Sequence, residues 1–210
     1  MISLMKDKVI VVLVAVATVG LAATSTLLLT RPSGNSPDSS FAQSSHNGLD
    51  MMDHMQVSSE FDYLAQMIPH HQEAIDTAQI ILAHSSRPEM RQFAQNIIQA
   101  QTAEIAQMKN WLNEWYPGGD LSVSYVPMMR DLKQLEGNSL DQTFLQDMTK
   151  HHMGAVMMSQ MLLNRNLVKH QPVQPFAQNI ATNQNQEIQQ MQDWLIAWFG
   201  DRNPMSGMDH

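Results

Sequence analysis

The chain has 210 residues, with 18 methionines, 9 histidines and no cysteine, and its 20 acidic side chains outnumber 12 basic ones. That surplus argues against nucleic acid or an anionic membrane surface as a partner and favours cations. The missing cysteines exclude disulfide scaffolds, zinc–thiolate sites and thiol catalysis, and the length admits one domain or two small ones.

Lys6 and Lys8 precede an almost wholly apolar run from Val9 to Leu29. Residues 1–31 therefore read as a signal peptide or an N-terminal membrane anchor, and both readings fit. On either, the rest of the chain is expected to work outside the cytoplasm, periplasmic or secreted, and membrane contact is limited to an uncleaved N-terminal segment. Thiols tend to pair off or oxidise in such a compartment. A thioether cannot form a disulfide, yet it stays a soft ligand for Cu(I). Methionine also serves as plastic core filler, so position must decide between the two roles.

Residues 32–58, rich in Ser, Asn, Gly, Asp and Gln, read as a flexible linker that contains methionine and histidine. Helical periodicity then predicts a first helix from Ser59 to Ala83. A second runs from Pro88 to Tyr116 and is ended by Pro117-Gly118-Gly119. A connector follows, with a short helical turn after Pro127 that Gly137 stops. The third helix is expected from Ser139, a plausible N-cap, to Asn164, and the fourth from Pro175 to Phe199, with Gly200 beyond it. Residues 201–210 form a C-terminal tail.

An internal repeat joins the two halves, 59–116 and 139–199. Met67-Ile68-Pro69-His70-His71 superposes on Met148-Thr149-Lys150-His151-His152, and Phe93-Ala94-Gln95-Asn96-Ile97 on Phe176-Ala177-Gln178-Asn179-Ile180. The latter register also carries Glu104 onto Glu187, Met108 onto Met191, Trp111 onto Trp194 and Trp115 onto Trp198. A hairpin that cannot bury its apolar stripe alone, present twice, predicts an all-α, up-down-up-down four-helix bundle over residues 59–200. Its first and third helices would then be parallel.

Successive helical residues turn by about 100°. On that wheel Met148 and His152 face inward with Phe144, Leu145 and Ala155, and His151 sits at the flank. Met67 and His71 likewise face inward, with His70 at the flank. Glu104 and Glu187 point inward as well, so His–Glu pairs that merely satisfy buried polar groups compete with metal ligation. Met153, Met157 and Met161 project at about 140°, 180° and 220° from Met148, away from the core stripe. Their repeat partners are Gln72, Asp76 and Ile80. An outward methionine ladder is thus not required by the fold and reads as a ligand set that Met158 on the flank joins; a protein interface is the alternative. Met51, Met52, His54 and Met55 end the linker, and Met205, Met208 and His210 close the chain. In an up-down-up-down bundle the two clusters would lie at one end. His46, His84 and His170 carry no assignment.

At Met67-Ile68-Pro69-His70-His71-Gln72 and Met148-Thr149-Lys150-His151-His152-Met153 the chain resembles the CopM-like bacterial family, first catalogued as a domain of unknown function. The resemblance covers residues 59–199. It implies a ferritin-like bundle outside the cytoplasm that binds Cu(I) or Ag(I) through methionine and histidine, at Met67, His70, His71, Met148, His151 and His152. Lys150 stands where the first repeat has Pro69, which is expected to kink the first helix. The favoured function is a non-enzymatic soft-metal protein for copper buffering, resistance or transfer, with a copper-handling protein as candidate partner. A ferritin-like di-metal oxidase is the first alternative, but the di-iron pattern needs Glu-x-x-His where this chain has Met-x-x-His. A methionine-faced interaction module is the second.

Overall fold

The computed structural model describes residues 55–202. Four helices follow one another: α1 Glu60–His84, α2 Pro88–Trp115, α3 Gly137–Asn164 and α4 Val173–Phe199. Ser59 caps α1, its hydroxyl accepting from the Asp62 amide at 3.0 Å. Pro88 opens α2, where its missing N–H costs nothing. Gly200, at φ 66°, closes α4 in the left-handed region, and its amide reaches back to the Ile196 carbonyl. α1 continues through Pro69 as one helix.

Two expectations at the helix ends fail. The helical turn expected after Pro127 is reduced to one hydrogen-bonded turn, the Leu135 amide donating to the Leu132 carbonyl at 3.0 Å; residues 116–136 run without helix, and Gly137 begins α3 rather than ending something before it. Nor is the chain ahead of Ser59 a free tether as far as Ser58. Met55 and Val57 are buried, and Arg165 donates to the Val57 carbonyl.

The bundle consists of two hairpins, as the repeat predicts, but their relative direction is the reverse of the expected one. Tyr63, near the start of α1, hydrogen-bonds Ser159, near the end of α3. Glu60 accepts from the amides of Lys169 and His170 in the α3–α4 turn. At the other end Arg87, just ahead of α2, pairs with Asp141 in the first turns of α3. The helices α1 and α3 are therefore antiparallel. So are α2 and α4, because Phe93 meets Trp194 while Trp111 meets Phe176.

The order is up-down-down-up, and the cause is the connector. From Tyr116, beside Phe61, it travels the bundle's length, about 40 Å for a helix of this size, to reach the start of α3. On the way Glu73 holds the Met128 and Met129 amides and the Tyr125 hydroxyl, Asp147 grips Arg130 with both oxygens, and Leu132 is buried. The entry to α1 and the exit from α4 consequently lie at opposite ends, which removes the geometric reason for the two terminal Met/His clusters to meet.

A pseudo-twofold relates the hairpins and splits the interior into two equivalent cores. One gathers Leu64, Met67, Met108 and Trp111 with Met158 and Leu162; the other gathers Leu145, Met148 and Met191 with Ala78 and Ile81. Each core takes its members from both repeats.

Candidate metal centre

Near the middle of the bundle stand His70, His71, His151 and His152, all essentially without solvent exposure. The histidine pairs lie near the midpoints of α1 and α3, so they stay level even though the helices are antiparallel. His70 and His151, expected at the flanks, in fact face each other at the centre, with ring centroids 3.7 Å apart and planes tilted by 35°. The physical reason is that α1 and α3 pack on each other as well as on their own hairpin partners. The buried arc of each helix is wider than the single stripe a helical wheel reveals.

His71 and His152 take the positions their inward orientation predicts. His71 Nε2 lies 2.8 Å from Glu104, off the ring N–H direction, and His152 Nε2 hydrogen-bonds Glu187 at 2.7 Å. At His152 the hydrogen-bonded carboxylate makes Nε2 the donor and leaves Nδ1 as the lone pair. Both nitrogens of His70, His71 and His151 and Nδ1 of His152 are buried without a hydrogen-bond partner, as are the Gln101 and Gln184 side-chain carbonyls. Burial pushes the His70 imidazole well below its usual value, and the neighbouring histidines push in the same direction. His151 is lowered by burial too, with Glu73 acting against the shift. Both are neutral at pH 7, the state in which imidazole offers a lone pair to a metal.

The pseudo-twofold is broken at one place in this layer. Glu73, on α1, lies 3.4 Å from His151 Nε2, a charge contact rather than a full hydrogen bond. Burial alone would raise the Glu73 carboxyl. Interactions with His151, the Tyr125 hydroxyl and the Met129 amide reverse that and bring it down to about 2. In the register that carries His70 onto His151, the partner of Glu73 is Gly154. There the vacated side-chain position is bordered by a thioether: a Cβ on Gly154 would sit 2.8 Å from Met55 Sδ and 3.1 Å from His70 Nε2. Beside His151 Nε2 thus stands a carboxylate oxygen, and at the equivalent place, where Gly154 leaves room near His70, a thioether sulfur.

The remaining candidates disperse. Met67 and Met148 are fully buried in opposite cores, and Met158 belongs to the first of them. Met153, Met157 and Met161 do not stand free in solvent. All three are half-buried, Met153 packing on one core and Met161 on the other. Met51, Met52, His54, Met205, Met208 and His210 lie outside the described residues. Glu73, Gly154 and Tyr125, whose ring edge meets His70 at a centroid distance of 6.2 Å, escaped the sequence reading. The exchange of Glu73 for Gly154 was visible in the repeat register; Tyr125 has no sequence signal. Among the described residues no three histidine, aspartate or glutamate side chains converge as a metal cage.

A family model described as a domain of unknown function, DUF305, matches residues 60–195. No curated protein matches the chain. Among solved structures the chain is similar to CopM in its Cu(I)-bound form, at 31% identity and a TM-score of 0.61, over 69% of this chain and 100% of that one. The Ag-bound form of CopM matches at 30% identity and a TM-score of 0.60, over 69% and 100%. A DUF305 protein from Streptomyces coelicolor, named as a candidate secreted protein, matches at 26% identity and a TM-score of 0.55, over 63% and 88%. The four-helix architecture, the repeated histidine pairs and the match over most of the folded region agree: the chain belongs to the DUF305 family and is CopM-like.

Proposed function

We propose that this protein binds Cu(I), and Ag(I) as its close analogue, outside the cytoplasm, and buffers or transfers the ion rather than catalysing a reaction. The observation that carries the reading is that Met55 Sδ and His70 Nε2 both border the open side of Gly154, 2.8 and 3.1 Å from where a Cβ would sit, inside a layer of buried imidazole nitrogens without partners. Buried polar atoms left unpaired are costly and call for an explanation, and a thioether beside a neutral imidazole is a donor set for a soft monovalent ion. The similarity to CopM, which has been seen with Cu(I), Cu(II) and Ag, supports the same choice. The carboxylates do not favour a hard di-metal site: Glu104 and Glu187 each face an imidazole, and Glu73 is occupied by the connector. An extracytoplasmic location draws support from the apolar segment Val9 to Leu29 and the Streptomyces relative.

Titration with Cu(I) under a competing chelator, without oxygen, tests the reading on the wild type, Met55→Leu and His70→Gln. Each substitution is expected to weaken the buried site by at least about tenfold. Because His70 is held below the usual imidazole value of 6.5, binding should stay level as the pH falls past that value and weaken only in more acid solution. Unchanged affinity in both variants would overturn the assignment.

A further inference from the structure

We infer that Gly154 is the residue that selects a soft ion at this centre, by leaving open the space that the Met55 thioether and His70 Nε2 both border. The inference rests on the reading of Met55 and His70 as ligands. A glycine inside a helix is less favourable than alanine, so its presence in the middle of α3 calls for a reason. Backbone conformation does not supply one. Among the described residues the glycines with positive φ are Gly118, Gly137 and Gly200, and Gly154 is not one of them. Close approach does supply one. Sulfur at 2.8 Å and nitrogen at 3.1 Å from the position of a Cβ leave no room for a side chain, and the neighbour that would have to give way is the thioether itself.

The sister position indicates what that space would otherwise hold. In α1 the equivalent residue is Glu73, whose carboxylate faces His151 across the pseudo-twofold. Carboxylate oxygen suits harder ions and thioether sulfur suits Cu(I). The change from glutamate to glycine therefore leaves room for a sulfur from Met55, ahead of α1, where the sister position holds a carboxylate. A methyl group at 154 removes the sulfur, and a carboxylate at 154 restores the oxygen.

The test measures Ag(I) and Zn(II) affinities by chelator competition on the wild type, Gly154→Ala, Met55→Leu, the double variant and Gly154→Glu, with helical circular dichroism to verify folding. Gly154→Ala and Met55→Leu are each expected to weaken Ag(I) binding by at least about tenfold, and the double variant to bind no more weakly than either one, because both remove the same sulfur. Gly154→Glu is expected to lose Ag(I) and gain Zn(II). If Met55→Leu binds Ag(I) as the wild type does, the ligand reading itself fails. If Met55→Leu is weakened and Gly154→Ala is not, the ligand reading stands and the role of Gly154 is overturned. A further loss when Gly154→Ala is added to Met55→Leu would also overturn it, since glycine would then act other than by admitting the sulfur. Should Gly154→Glu fail to fold, the alanine and leucine variants still decide the matter.

Discussion

The two ends of the bundle and its middle have treated the same repeat differently. At one end Trp111 stacks on Trp115, His170 stacks on Trp115 at 4.1 Å, and buried Glu60 holds the His170 ring at 2.6 Å. At the other end Trp194 stacks on Trp198, Arg87 lies 4.7 Å over Trp198, and buried Asp141 holds Arg87 at 3.1 Å. The chemical parts are alike at both ends: an indole pair, a nitrogen-bearing side chain laid over it, and a buried carboxylate behind. In the middle, by contrast, the repeat equivalent of Glu73 is Gly154, a change from charged to nothing. Closing the ends of two hairpins demands a type of contact that either repeat can satisfy with interchangeable residues. The middle layer, where imidazole nitrogens lack partners, is where the two copies have parted in chemistry. Divergence here therefore marks function more clearly than similarity does.

The sharpest way to break this comparison is to remove one end lock. Arg87→Ala strands Asp141, which is 1% exposed, without its cation. Losing one partner of a largely buried pair should cost about 3 kcal/mol, or roughly 9 °C in the melting temperature for a domain of this size. Thermal unfolding followed by circular dichroism measures it. A shift under about 1 °C would mean that the ends are closed by the tryptophans alone.

Removing the opposite carboxylate should cost less and should depend on pH. Glu60 is buried and accepts from the Lys169 and His170 amides, the His170 ring and the Tyr116 hydroxyl. Burial alone would raise its pKa, but those bonds outweigh it and hold the carboxyl below its ordinary 4.5. A lowered carboxylate contributes stability that is present above the ordinary value and is lost as the pH falls through the lowered one. Glu60→Gln should therefore be destabilised by about 2 kcal/mol at pH 7, with the gap to the wild type narrowing below pH 4.5. Melting temperatures of both proteins across that range provide the check; a gap that is constant with pH would place the effect in packing rather than charge.

How much of this was legible in the sequence depends on whether the contact was local. Helix positions, both histidine pairs and the Glu104 and Glu187 faces followed from periodicity, because 3.6-residue spacing fixes which residues share a face. The direction of the second hairpin did not. Residues 116–136 carry no helical pattern, and their path is set by Glu73 with Tyr125 and by Asp147 with Arg130, contacts far apart in sequence. His70 and His151 were misplaced to the flank for a related reason, since a wheel drawn for one helix contains nothing about the second helix that covers it. Met55 was noticed as a methionine among others, yet only the fold brings it to Gly154.

The smallest expected effect gives the finest test of whether the ends are interchangeable. Arg87 and His170 occupy equivalent positions in the repeat that carries Trp115 onto Trp198. Placing arginine at the histidine end, His170→Arg, supplies a planar group able to stack on Trp115 and to meet Glu60. It exchanges a short 2.6 Å ring contact for a longer and more flexible fork. The gain in permanent charge and the loss in side-chain freedom should nearly cancel, leaving stability within about 0.5 kcal/mol of the wild type. Soft-metal affinity should be unchanged, because the centre lies in the middle of the bundle and not at this end. A loss of more than about 2 kcal/mol would mean that His170 holds a geometry arginine cannot reproduce, and the two ends would then be as divergent as the middle.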